Sequence, residues 1–154
     1  PYEYLLLGQH YLTNEQSESH IARLANDYNS LVLYVNECIE ALATGKFFYF
    51  AHPDLVNFKG DPRLYRSEMI RLCKAAKSMN VPLEINLLGL REGREYPRID
   101  FWQIAAEIGN DVLLGSDSHE PSVTARETDI RAAMEIVNGF GLNLIEPTEP
   151  KILR

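Results

Sequence analysis

The sequence predicts a parallel α/β fold, either an open sheet or part of a barrel. Three observations carry that prediction. Short apolar segments alternate four times with amphipathic stretches of helical period, the rhythm of units whose helices cover a parallel sheet. The segment 47–51 is apolar at every position, which suits a strand buried on both faces. No glycine-rich phosphate loop follows any predicted strand, so the nucleotide-binding versions of the fold fit poorly.

In chain order, a strand over 3–8 ends at Gln9-His10. Thr13, Asn14 and Ser17 lead into a long helix in which Ile21, Leu24, Tyr28, Leu31, Val32, Val35, Ile39 and Leu42 recur at intervals of three and four, the mark of one buried face. Gly45 suits its C-cap. The strand over 47–51 runs directly into His52-Pro53-Asp54, and a loop with Asn57, Lys59 and Gly60 follows. A helix over about 62–79 turns Met69, Ile70, Leu72, Cys73 and Ala76 inward. The third strand covers 81–86, with 87–96 as its loop. A helix over about 98–109 buries Ile99, Trp102, Ile104, Ala105 and Ile108, and a fourth strand covers 111–115. The last helix spans about 121–138, and 142–145 forms a final strand before a proline-containing tail.

The 154 residues suit one domain over 1–154. A formal net charge of −7 argues against nucleic acid or an acidic membrane as partner, since either calls for a basic face. A small anionic substrate would then need local arginines or metal cations. No apolar run approaches the ~20 residues of a membrane helix, and no signal-peptide pattern is present. Cys38 and Cys73 fall inside predicted helices and read as buried thiols, the expectation for a cytoplasmic protein. The chain opens at Pro1, already inside a predicted strand, as though within a fold.

Chemistry concentrates at strand ends. The apolar strand at 113–114 runs into Gly115-Ser116-Asp117-Ser118-His119. In an extended backbone, residues two apart point the same way, so Asp117 and His119 can converge on one metal ion or one substrate atom. A plainer reading stands beside this one: Ser116, Asp117 or Ser118 caps the helix that follows Pro121. His10 and His52 also fall directly after predicted strands, at the end of a parallel sheet or barrel where active sites are built. Imidazole and carboxylate donors suit zinc, iron or manganese. The remaining histidine, His20, lies at a helix start and reads as a surface or capping residue.

The set Gly8-Gln9-His10, Ala51-His52-Pro53-Asp54-Leu55, Leu83-Glu84-Ile85-Asn86 with Gly89-Leu90-Arg91, and Gly115-Ser116-Asp117-Ser118-His119 resembles the polymerase and histidinol phosphatase (PHP) family, in particular its histidinol-phosphatase branch. The resemblance implies the C-terminal part of a distorted (β/α)7 barrel that holds two or three divalent metal ions. It also implies hydrolysis of a small phosphate ester, L-histidinol phosphate in histidine biosynthesis, by a metal-bound hydroxide. His10, His52, Asp117 and His119 match metal ligands, Asp117 and His119 also serve catalysis, and Arg91 matches an arginine that holds the substrate phosphate. Glu84 either faces the site or supports it. Lys59, Arg63, Arg66 and Arg94 are further phosphate candidates whose plainer reading is solvated surface charge. The family's N-terminal His-x-His pair, a further histidine and a bridging glutamate have no counterpart here. Self-association, or completion by a missing N-terminal segment, is therefore expected. Two other readings stay open: the same scaffold acting on another phosphate ester, and a half-barrel without activity that serves folding or assembly.

Overall fold

The computed structural model describes residues 4–12, 21, 27–119 and 125–146. Ten elements alternate along them: β1 (Leu5–Leu7), α1 (Tyr28–Ala43), β2 (Phe47–Phe50), α2 (Pro62–Ser78), β3 (Leu83–Asn86), α3 (Leu87–Glu92), α4 (Ile99–Ile108), β4 (Asp111–Gly115), α5 (Glu127–Phe140) and β5 (Asn143–Leu144). The strands form one parallel sheet in the order β1-β2-β3-β4-β5. Each strand therefore lies beside its predecessor, without the reversal of strand order that marks a doubly wound sheet. Right-handed crossovers taken always in one direction place their helices on one face, and α1, α2, α4 and α5 pack side by side in sequence. Among the described residues β1 and β5 are the two edges, and the sheet is open rather than closed into a barrel.

Alternation along the strands separates the two faces. Leu83, Ile85 and Val112 join the hydrophobic core beneath the helices, with Leu114 packed against it; Glu84, Asn86, Leu113 and Gly115 alternate with them and face the other way. On β2 the expectation of burial on both faces is corrected. Phe47, Phe48 and Tyr49 are half-buried and only Phe50 is buried. The β1–β2 register slips between Leu5 and Leu6, which pair with Phe47 and Tyr49 and leave Phe48 as the extra residue. The helix-free face is uncovered at this end, with Tyr4 45% and Leu6 42% exposed.

Several boundaries differ from the sequence reading. α1 begins at Tyr28, capped by the Asp27 side chain on the Asn29 N–H; Ile21 is buried outside the helix, and Leu24, Thr13, Asn14, Ser17 and His20 lie outside the described residues. Ile99 is 57% exposed, while Phe101, at 0%, takes the buried position. The segment 87–96 is not simply a loop but opens with α3. Asn86 caps it, its Oδ1 accepting from the Gly89 N–H at 2.8 Å, and Gly93 ends it in the left-handed conformation. α5 starts at Glu127 with Arg126 in the cap position. Ser116, Asp117 and Ser118 therefore do not cap it, and Pro121 lies outside the described residues. Cys38 and Cys73 are buried and free, and burial pushes both thiols up.

Asp54 ties the His52 loop to α4. Its Oδ2 accepts from the Arg98 N–H at 2.6 Å and from the Trp102 indole at 3.1 Å, while Oδ1 is buried without a hydrogen bond. Burial pushes its carboxyl up to about 7, against the pull of those donors. A folded-state pKa above the unfolded value means stability is fully present below about 4 and falls as pH rises to about 7. Glu84 adds to the same slope and His52 opposes it from the acid side, so the difference between wild type and Asp54→Asn isolates Asp54. Urea titrations at pH 5 and pH 8 should show that the wild type loses on the order of 2 kcal/mol more than the variant on this rise. Equal losses would refute the assignment.

Candidate functional site

Four strands bring their C-terminal ends to one edge of the sheet. His10 follows β1, His52 follows β2, Asn86 ends β3, and Asp117 and His119 follow β4. The His10 and His52 rings meet edge to face with centroids 4.8 Å apart. Both close over Gly8, where a Cβ would stand 3.5 Å from His10 Nε2 and 3.5 Å from His52 Cε1. Across the site, His119 Nε2 lies 3.3 Å from Asp117 Oδ1, with the His119 side chain 77% exposed.

Backbone strain marks two of these positions. His52 has φ 34° and Asp117 φ 45°, left-handed conformations that cost a non-glycine residue on the order of 1–3 kcal/mol and gather at functional sites. Hydrogen bonds from within the site hold both, the first buried and the second half-buried. The His52 N–H donates to Glu84 Oε2 at 2.9 Å, and Asn86 Nδ2 donates to Asp117 Oδ2 at 3.1 Å. Glu84 is thus a brace behind the His52 turn, 2% exposed and laid across Gly115. Burial pushes its carboxyl up to about 7, the Asp117 charge adding to the rise and the His52 N–H opposing it. Burial and the neighbouring His10 hold the His52 imidazole down to about 4, against the attraction of Asp117. Tyr49, on the same sheet face, is raised to about 12 by burial, with Glu84, Tyr4 and Asp117 adding to it.

Imidazoles and a carboxylate are the donors that a zinc, manganese or iron site uses, and His52 Nδ1 is buried without a hydrogen bond. The donor set thus fits a divalent metal in chemistry. In arrangement it stands as two pairs, His10 with His52 and Asp117 with His119; among the described residues no three His, Cys, Asp or Glu side chains assemble into a metal-binding group.

Cationic side chains flank these donors. A cleft of about 560 Å³ is lined by His10, Leu55, Arg94, Glu95, Tyr96, Asp117 and His119. A second cleft of about 450 Å³ includes Arg91, Arg94, Ser118, His119 and Arg126 in its lining. Arg94 and His119 are common to both. Arg91 is paired with Asp129 of α5. Lys59, Arg63 and Arg66 are exposed and paired with Glu95, Asp61 and Glu107, consistent with surface charge. Arg94, grouped with them in the sequence reading, instead lines both clefts and donates to the Tyr96 hydroxyl at 2.7 Å. Tyr96 and Arg126 went unnoticed in the sequence, where nothing local separates them from loop residues. Asn86 carried a usable signal, a cap-type residue three positions before Gly89 at the end of a strand.

No protein-family model matches the chain, and no curated protein matches it. Among solved structures, the chain is similar to a histidinol phosphate phosphatase from Lactococcus lactis subsp. lactis Il1403, crystallised with zinc, L-histidinol and phosphate. The two superpose with a TM-score of 0.70 over 99% of this chain, at 17% sequence identity. The chain spans 62% of that protein's length. At this identity the likeness is one of fold. Among the described residues no helix is long and apolar enough to cross a membrane.

Proposed function

We propose that this chain carries a metal-dependent phosphomonoesterase site of the PHP type, acting on L-histidinol phosphate in the cytoplasm and releasing L-histidinol and phosphate. The observation that carries the reading is the convergence of His10, His52, Asp117 and His119 at one end of a parallel sheet, with His52 and Asp117 in strained backbone. The fold likeness to a phosphatase that binds zinc, histidinol and phosphate supports it. The open sheet, with its strands in sequential order, agrees with part of a barrel, and the uncovered face around Tyr4 and Leu6 agrees with self-association or completion by further strands.

In this reading His10, His52, Asp117 and His119 hold two or three divalent cations, zinc, manganese or iron. Such ions supply a nucleophilic hydroxide at neutral pH and offset the charge of the phosphate dianion. The chain's own groups do the rest. Asp117, fixed through Oδ2 by Asn86, accepts a hydrogen bond from the attacking water and orients it on phosphorus. A bond from the water oxygen to phosphorus forms, the bond to the alcohol oxygen breaks, and the alcohol departs carrying the water's proton. Arg91 and Arg94 keep cationic charge at the wall beside His119, where the non-reacting phosphate oxygens need it.

The test is phosphate release from L-histidinol phosphate with added Mn²⁺ or Zn²⁺. Turnover should far exceed that of a generic aryl phosphate, and His119→Ala should lower it about 100-fold. A flat substrate profile would move the assignment to another phosphate ester. Equal activity in His119→Ala would overturn the metal-hydrolase reading.

A further inference from the structure

We infer that Arg94, anchored by Tyr96, is the guanidinium that exchanges its partner for the substrate phosphate, while Arg91 stays locked beside it; this rests on the phosphatase reading above. Both arginines turn the same edge, Nε with Nη2, toward a carboxylate. That edge grips two oxygens of one oxyanion, so each carboxylate occupies the place a phosphate would take.

The two pairs differ in how readily they part. Arg91 holds Asp129 Oδ2 at 2.8 Å from Nε and 2.7 Å from Nη2, with the side chains only 12% and 7% exposed. Releasing Asp129 would leave a buried carboxylate without its charge partner, a large penalty. Arg94 holds Glu92 Oε2 at 2.7 Å from Nε and 2.6 Å from Nη2, with the side chains 41% and 46% exposed. An exposed pair of this kind is weak, and Glu92 is readily hydrated when it leaves. A phosphate dianion brings more charge and more acceptor oxygens to the same edge than one carboxylate does.

Tyr96 keeps Arg94 in place through the exchange. Its hydroxyl accepts from Arg94 Nη1 at 2.7 Å, on the side away from the Glu92 edge. The tyrosine is 5% exposed, its ring centroid 5.9 Å from that of His52. It packs onto Gly89, where a Cβ would come within 2.8 Å of the ring and 2.4 Å of the Tyr96 carbonyl oxygen. The anchor is therefore rigid, and it borders His52, one of the donors proposed for the metal. Arg94 and His119 form the wall shared by both clefts, so an anion on Arg94 lies between those donors and Arg91.

The experiment is calorimetric titration of inorganic phosphate into the full chain, with chelator and then with Mn²⁺. Glu92→Gln removes the competing carboxylate and should tighten phosphate binding about fivefold, whereas Arg94→Met should weaken it at least about tenfold and Tyr96→Phe about threefold. Asp129→Asn is the counter-test. If it tightens phosphate binding and Glu92→Gln does not, the exchanging arm is Arg91 and the inference is overturned; unchanged affinity in both Glu92→Gln and Arg94→Met overturns it as well. A gain in Glu92→Gln is not an effect that a merely structural role produces. Turnover of L-histidinol phosphate on the same samples separates the two readings: absent turnover with these shifts intact removes the hydrolase assignment and leaves the anion arm standing.

Discussion

Replacing Gly115 by alanine is expected to destabilise the protein by about 4 kcal/mol, combining overpacking with the loss of a buried hydrogen bond. A Cβ on Gly115 would fall 1.6 Å from Glu84 Oε1 and 2.4 Å from its Cδ. Glu84 has no room to withdraw: it is 2% exposed and its other oxygen receives the His52 N–H at 2.9 Å. If the carboxylate moves, the donor that pins the left-handed His52 turn loses its partner, and the His10–His52 pair opens with it. Urea denaturation of the single variant and of Gly115→Ala with Glu84→Ala tests the mechanism. The second substitution removes the clashing group, so the double variant should be more stable than Gly115→Ala alone, although it still lacks the brace. Wild-type stability in Gly115→Ala would show that the Glu84 carboxylate is not confined there.

Asn86→Asp should cost about 3–5 kcal/mol at neutral pH and abolish phosphate-ester turnover, because it sets a carboxylate against Asp117 in a buried place. Asn86 is 0% exposed and joins the two halves of the site: Oδ1 caps the helix that carries Arg91, and Nδ2 holds Asp117 Oδ2. The aspartate keeps an acceptor for the Gly89 N–H and removes only the donor, so its effect reports the links to the Asp117 and Glu84 carboxyls rather than the cap. Asn86→Ala removes both links. Protection of the Gly89 amide from hydrogen exchange separates them: it should persist in Asn86→Asp and collapse in Asn86→Ala. Retained turnover in Asn86→Asp would mean that Asp117 needs no such support.

The alternation of strands and helices was legible because each element announces itself within a few residues, by period two or period 3.6. Legible too were the positions of His10, His52, Asp117 and His119, since a polar residue directly after an apolar strand needs no tertiary information to notice. α3 was not legible, because its cap is the last residue of a buried strand and its six residues are too few to show a period. Ile99 and Phe101 exchanged roles for a related reason. Periodicity finds an apolar stripe, but on a helix start it leaves open which residue faces the core.

By itself, the amino-acid sequence determined a parallel α/β chain and the strand ends at which its donors stand, because those properties follow from local patterning and chain direction. Only the tertiary structure decided how the donors pair and what each supporting residue does. Glu84 became a brace because Gly115, diagonal to it across the β3–β4 pairing, lacks a side chain, and Arg91 and Arg94 parted in role because one meets a buried carboxylate and the other an exposed one. These outcomes depend on which distant segments meet and how much water remains between them, and no local pattern records either.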